Sequence, residues 1–365
     1  MMESLLKPAQ EEKKQNQSVV YILLVVGIVL LASAYIFIIK DVFTPVVPPV
    51  VPSKVVQQPT GMLYTSMAKD DQPLAILGYR LGTTDTSPVS VLSLEGATTM
   101  QFEGSDGSLS FAVFSPVVPE GGSTFRNSNI IMFDTQSKKM QFVLASSSSF
   151  VAIRHLNYSS VNGLLTFTAK TASATISTST VPESADAWGI YSVDIKTGVV
   201  TSIGKGMDAN FSPDGSSLVY VSADGLMQYS YQEKRATSIA IPSAPKSISM
   251  GSNMNLDVAP DGKLLAISSA NNHSLYLYQI ISWNPVSLRK AERQPIFKHK
   301  STIYWPTFSF DNKYIAYQVA DVDVLKKQSN PRIEILNLND MKVVRSYPLD
   351  AYDFTRAFID DWQAN

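Results

Sequence analysis

Three histidines, His155, His273 and His299, are the first candidates for acid–base or metal chemistry in this chain. They lie far apart, and no His-x-His or HExxH spacing puts two of them on one face of an element. His273 follows Asn271-Asn272 in a turn and is expected to be exposed. Asp-Gly pairs recur at Asp106-Gly107, Asp214-Gly215 and Asp261-Gly262. Calcium would need an alternating ladder of carboxylates around each pair, and these are isolated. An Asp box would need Ser-x-Asp-x-Gly, whereas here Asp adjoins Gly. The pairs therefore read as turn chemistry. The sequence contains no GxSxG elbow, no P-loop and no GxGxxG. It has no cysteine, which excludes disulfides, thiolate metal sites and lipoprotein anchoring. Thirty Lys plus Arg against 31 Asp plus Glu leave no broad nucleic-acid footprint. No catalytic, cofactor-binding or metal-ligating residue is assigned, and the chain reads as a non-enzyme.

The elements that would position any such residues are short strands. Past residue 60 the texture is Val, Ile, Tyr, Phe, Thr and Ser in brief runs cut by Gly, Asn, Asp and Pro, as in Leu109-Ser110-Phe111-Ala112-Val113-Phe114 and Ser274-Leu275-Tyr276-Leu277-Tyr278. Period-two alternation between turn residues predicts many antiparallel strands. The runs also repeat. Phe211-Ser212-Pro213-Asp214-Gly215 is followed by Val258-Ala259-Pro260-Asp261-Gly262 and then by Phe308-Ser309-Phe310-Asp311-Asn312. Weaker copies are Ser105-Asp106-Gly107 and Val161-Asn162-Gly163, and Asp71-Gln72 marks a further turn. A second signature follows each unit, as in Ile190-Tyr191-Ser192-Val193-Asp194-Ile195-Lys196-Thr197-Gly198. Repeats of about fifty residues with four strands apiece stack as propeller blades, because one such sheet cannot bury both its faces alone.

These residues carry a family resemblance. "FSPDG…LVYVS" followed by "IYSVDIKTG" resembles the TolB-like β-propeller repeat over roughly residues 70–362. The resemblance implies an all-β fold, a β-propeller of about six four-stranded blades spanning residues 62–365, acting as an envelope scaffold of bacterial type. Phe310 stands where the repeat has Pro, and the upstream units lack Ser-Pro, which leaves six or seven blades open. The segment Pro73–Tyr79 reads as a second strand lacking a first, and Arg356–Trp362 as a first strand lacking the rest. The C-terminal strand is therefore expected to complete the N-terminal blade and close the ring, removing two exposed edges.

Ahead of the repeats, residues 19–39 are apolar without a single charge. Twenty-one helical residues rise about 32 Å, one hydrocarbon thickness. Lys7, Lys13 and Lys14 precede the stretch, which places residues 1–18 in the cytoplasm by the positive-inside bias. Ala32-Ser33-Ala34 also resembles a cleavage site, but Tyr35–Ile39 continues the apolar run beyond it. The expectation is one transmembrane α-helix acting as signal anchor in the plasma membrane, contacting the lipid bilayer through residues 19–39, with the propeller extracytoplasmic. Residues 40–61 contain prolines 45, 48, 49, 52 and 59, and read as an extended Pro-rich linker.

Long insertions are expected between second and third strands at Ser115–Asn129, Lys170–Ala187 and Ala320–Pro331. They would share one end of the propeller with the connections between blades. Lys298, His299 and Lys300, together with Lys326 and Lys327, form a basic cluster at that end, a candidate site for an anionic protein or envelope polymer. A hydrolase or lyase site at the mouth of the central channel is the alternative function. A cluster of carboxylates, His or Tyr there would favour it.

Overall fold

The structure, a computed structural model, describes residues 58–67, 75–82, 88–93, 97–104, 109–116, 129–134, 139–144, 150–171, 187–242, 254–269, 273–292, 296–322, 328–349 and 358–363. The expected tail 1–18, helix 19–39 and residues 40–57 of the linker lie outside these residues. So do Asp106-Gly107, Lys326 and Lys327. Residues from Gln58 onward form one compact unit.

All the described elements are strands, in chain order. They are β1 (Gly61–Met67), β2 (Ala75–Leu81), β3 (Val89–Ser93), β4 (Ala97–Gly104), β5 (Leu109–Pro116), β6 (Asn129–Asp134), β7 (Met140–Leu144), β8 (Phe150–Ser159) and β9 (Leu164–Thr171). Next come β10 (Gly189–Asp194), β11 (Val200–Lys205), β12 (Met207–Phe211), β13 (Ser217–Ser222), β14 (Gly225–Ser230), β15 (Arg235–Ser238), β16 (Met254–Val258) and β17 (Leu264–Ser269). The last are β18 (Ser274–Trp283), β19 (Val286–Lys290), β20 (Ile296–Lys298), β21 (Thr302–Phe308), β22 (Tyr314–Val322), β23 (Gln328–Asn337), β24 (Lys342–Pro348) and β25 (Phe358–Gln363).

They pair into six antiparallel sheets among the described residues: β25-β1-β2-β3, β4 to β7, β8 to β11, β12 to β15, β16 to β19, and β21 to β24. In the fifth sheet the outer position is split. β19 pairs with the second half of β18, and β20 with Ser274–Tyr276 at its start. The first strand of each sheet lies against the first strand of the next, from β4 through β8, β12, β16 and β21 to β25, which returns to β4. This is a β-propeller arrangement.

The chain's end completes the sheet of its beginning. β25 pairs with β1 through Met62↔Gln363, Leu63↔Trp362 and Tyr64↔Asp361. Trp362 is buried, stacks on Tyr314 with centroids 6.1 Å apart, and donates from Nε1 to Thr60 O at 2.8 Å. The expected closure therefore holds, with a correction to its order. β1 is the second strand of this sheet, and the run beginning near Pro73 forms the third, β2. β1 abuts the Pro-rich linker and has no Asp-Gly turn to announce it.

The alternation expected of the strands gives way near the centre. β12 and β13 are buried at every residue, and β9 at all but its ends, whereas outer strands such as β11 and β15 stay largely exposed. An inner strand is covered on both faces by neighbouring sheets, so both side-chain rows must be apolar or satisfied. One interface packs Leu63, Tyr79 and Leu81 against Tyr314, Ile333 and Tyr347. Another packs Leu275 and Leu277 against Ile315, Tyr317 and Val319.

Candidate functional site

The Asp-Gly turns come first because they dispose of the most obvious chemistry. In three sheets they close alike. Gly215 N donates to Ser212 O at 2.8 Å, Gly262 N to Ala259 O at 2.7 Å, and Asn312 N to Ser309 O at 2.9 Å. Gly163, Gly215, Gly262 and Asn312 occupy the same left-handed conformation, with φ of 68°, 69°, 68° and 59°. Gly and Asn supply this at least cost. The carboxylates serve the turn itself. Asp214 accepts from Ser212 Oγ at 2.5 Å and Ser216 N at 3.1 Å; Asp311 accepts from Ser309 Oγ at 2.7 Å. The Ser212 hydroxyl, helped by Ser216, holds the Asp214 carboxyl below its usual range against the effect of burial. Neighbouring turns also interlock. Asn162 Nδ2 donates to Gly215 O at 2.8 Å, Trp283 Nε1 to Gly262 O at 3.0 Å, and Asp261 N to Asn312 Oδ1 at 3.3 Å.

Two residues before that motif's Ser or Ala, the repeat carries Asn157, Asn210 and Asp257. Each reaches the next sheet's first strand. Asn157 Oδ1 accepts from Phe211 N at 3.0 Å, Asn210 Nδ2 donates to Leu256 O at 3.4 Å, and Asp257 Oδ2 accepts from Phe308 N at 2.7 Å.

Two residues earlier again stand His155, Asp208, Asn255 and Trp305. At three of them the inner strand bulges: the pairing register shifts between Arg154 and Asn157, between Met207 and Asn210, and between Tyr304 and Thr307. His155, Asp208 and Trp305 take φ of 53°, 55° and 50°. A positive φ at non-glycine residues costs about 1–2 kcal/mol and marks a position worth a functional question. The four side chains converge, three of them from bulges. His155 Nδ1 lies 2.5 Å from Asp208 Oδ1, and Asn255 Nδ2 donates to Asp208 Oδ2 at 3.0 Å. The rings of His155 and Trp305 have centroids 4.9 Å apart. β8 and β21 stand three places apart in the cycle of six first strands, so these rings meet across its centre. Burial lowers the His155 pKa and Arg154 adds to this, although Asp208 pulls it upward; the imidazole is neutral at pH 7. A neutral His beside a carboxylate is the raw material of general-base chemistry. Among the described residues no group of three His, Cys, Asp or Glu gathers to hold a metal.

Sequence reasoning considered His155 only as a lone histidine and missed Asp208, Asn255 and Trp305. The usable signal was position: each lies four residues before the Ser or Ala that opens its repeat turn.

The basic cluster divides in the structure. Lys298 and Lys300 are exposed, and His299 between them turns inward. His299 Nε2 lies 3.3 Å from Glu334 Oε2, which also accepts from Tyr317 OH at 3.0 Å, while Arg332 Nε donates to Glu334 Oε1 at 2.7 Å. Burial alone would raise the Glu334 pKa; the hydrogen bonds from His299, Arg332 and Tyr317 outweigh it and hold the carboxyl below its usual value. Burial, reinforced by Glu334, pushes the Tyr317 hydroxyl far up. Beside this network Ser301 Oγ donates to Asp321 Oδ1, and Asn330 Nδ2 to Asp321 Oδ2 at 3.1 Å. The expected insertion Ala320–Pro331 is therefore mostly strand. β22 runs to Val322 and β23 starts at Gln328, because pairing there continues through Asp321↔Ser329 and Val322↔Gln328. His273, expected in the open, is half-buried, with its Nδ1 enclosed and its carbonyl accepting from His299 N at 2.9 Å.

No family model matches the chain, and no curated protein matches it in sequence. Solved structures do. TolB from Acinetobacter baumannii aligns with a TM-score of 0.56 at 15% identity, over 84% of this chain and 67% of that one. An oligogalacturonate lyase in complex with manganese aligns with a TM-score of 0.47 at 11% identity, over 77% of each chain. A protein described as a putative 6-phosphogluconolactonase from Bacteroides uniformis aligns with a TM-score of 0.44 at 14% identity, over 80% of this chain and 98% of that one. At this identity the likeness to TolB shows the fold alone, a β-propeller.

Proposed function

We propose that this chain is a non-catalytic binding scaffold, a six-bladed propeller whose loop-bearing end receives an anionic protein or envelope polymer. Residues 19–39 anchor it in the plasma membrane with residues 1–18 inside, and the Pro-rich stretch 40–61 raises it into the extracytoplasmic space. One observation carries the reading. The Ser301–Asp321 contact ties the connection bearing Lys298 and Lys300 to the root of segment 323–327, which contains Lys326 and Lys327. His299, pegged to Glu334, leaves the two flanking lysines outward. Lys298 and Lys300, flanking a pegged residue, keep their geometry without a large ordering cost on binding. The test is binding of the full-length chain to polyglutamate beads at low salt. The K298E/K300E/K326E/K327E variant should lose at least tenfold in affinity; undiminished binding overturns the reading.

A second reading is favoured by the paired His155 and Asp208 on the innermost strands: a hydrolase or lyase acting on glycans or peptides. It requires that H155Q and D208N abolish a turnover the parent chain displays towards an acidic glycan or a peptide library. A parent chain that turns over neither leaves the scaffold standing.

A further inference from the structure

The seam that closes the ring holds polar atoms that neither reading uses. β1 and β22 both set out from Trp362, which donates to Thr60 O and stacks on Tyr314. Thr65 is the fifth residue of β1, and Gln318 the fifth of β22. Each lies two residues past a member of one apolar cluster, Leu63 and Ala316. Each therefore continues the same face of its strand into the space between the first and sixth sheets. Both are buried. Their outer cross-strand partners, Leu77 and Ile333, belong to the same cluster and offer no side-chain hydrogen bond. Among the described residues, Thr65 Oγ1 and both polar atoms of the Gln318 carboxamide, Oε1 and Nε2, are enclosed without a hydrogen-bond partner.

The corresponding place in the two preceding sheets is filled differently. Gln318 stands seven residues after Asp311, as Val221 does after Asp214 and Ser268 after Asp261. Val221 packs with Leu265 and Ile267 in an apolar seam, and Ser268 donates from Oγ to Asn255 O at 3.4 Å. An unmet buried amide keeps its whole desolvation cost. The carboxamide accepts at Oε1 and donates at Nε2, and the hydroxyl does both. An occupant that answers all three atoms must both donate and accept. It must also be neutral, because an ion would be stranded among Leu63, Leu77 and Ile333. Ala316 and Ala320 flank Gln318 on its face, and their single methyl groups leave room only for something small. Water meets all three requirements.

We infer that buried water joins Thr65 to the Gln318 carboxamide, so that the seam closing the ring is hydrogen-bonded through solvent. The inference goes beyond the scaffold reading and does not rest on it. It is tested on the full-length chain in detergent by the denaturant midpoints of T65V, Q318M and the double variant. Each substitution keeps the shape of the side chain and removes its hydrogen bonding. With water bridging the seam, both single variants should lower the midpoint. The double variant should fall by clearly less than their sum, because the first substitution already releases the water. Midpoints unchanged or raised in the single variants mark the atoms as unmet in a dry seam and overturn the inference. Losses in the double variant that reach or exceed the sum overturn it too. A crystal structure of the full-length chain gives a second readout that survives a variant failing to fold. Density for a water oxygen within hydrogen-bond distance of Thr65 Oγ1 and of Gln318 Oε1 or Nε2 is the expected result; protein atoms alone at that place overturn the inference.

Discussion

Ser212, Ala259 and Ser309 open three turns that close with the same hydrogen bonds, while His155, Asp208, Asn255 and Trp305, four residues earlier in the same repeat, share neither size nor charge. The turn must reverse the chain and lock onto its neighbours, so its Asp, Ser and Gly are fixed by geometry and consumed by it. The inner-strand position faces the centre, where only the sum of the side chains from opposite sheets must fit. Repetition marks scaffold, and the place where the repeat stops agreeing with itself marks the region free to specialise.

That contrast can be broken most severely where the ring is clasped. Deleting residues 358–363 leaves β1 with an open edge and uncovers Tyr314; the single cooperative unfolding transition should be lost. The milder W362A should cost about 3–5 kcal/mol in denaturant unfolding. The turns come next. At Gly262 an added Cβ would lie 2.2 Å from Pro213 Cγ, with φ at +68°. G262A should therefore cost about 2–5 kcal/mol, from overpacking added to backbone strain. At Gly163 φ is also +68° but nothing lies within 4 Å, so G163A should cost only about 1–2 kcal/mol. Equal losses would refute the interlocking of turns.

The acid limb is a smaller effect. Hydrogen bonds hold the pKa values of Asp194, Asp214, Asp321 and Glu334 down in the folded state. A depressed folded value gives stability that is present above the unfolded value, about 3.9 for Asp and 4.3 for Glu, and lost as pH falls through the folded one. Stability should therefore decline below about pH 4, and more shallowly in E334Q, measured as the denaturant midpoint against pH. The smallest effect belongs to the buried histidine. His155, kept neutral by burial, binds its proton more readily when unfolded, so its contribution is present above about pH 6.5 and fades as pH falls through the lowered folded value. H155Q should flatten the slope just below about pH 6.5.

Much of this architecture was legible. Pro-Asp-Gly with flanking apolar runs states its own geometry, and two orphan half-sheets at the chain's ends implied the clasp of β25 on β1. What escaped were facts that depend on contacts distant in sequence. β1 offered no turn motif, and its place in the order is set by Trp362, some three hundred residues away. His299 looked basic and free, yet Glu334 and Tyr317 draw it inward. Asp208 meets His155 only because two separate strands bulge at matching levels. No local pattern announces a bulge at a non-glycine residue.

The clasp is also the most direct point of attack. The chain has no cysteine, so M62C/Q363C introduces the only two thiols, at positions paired across β1 and β25. Directly opposed residues in an antiparallel pair have Cα atoms about 4.5–5.5 Å apart, within reach of a disulfide. Mild oxidation of the folded full-length chain, read by thiol counting and mass spectrometry, should yield one intramolecular disulfide and a higher melting temperature that reduction reverses. Two free thiols in the folded protein, or crosslinks only between chains, would contradict a ring closed by its own last strand.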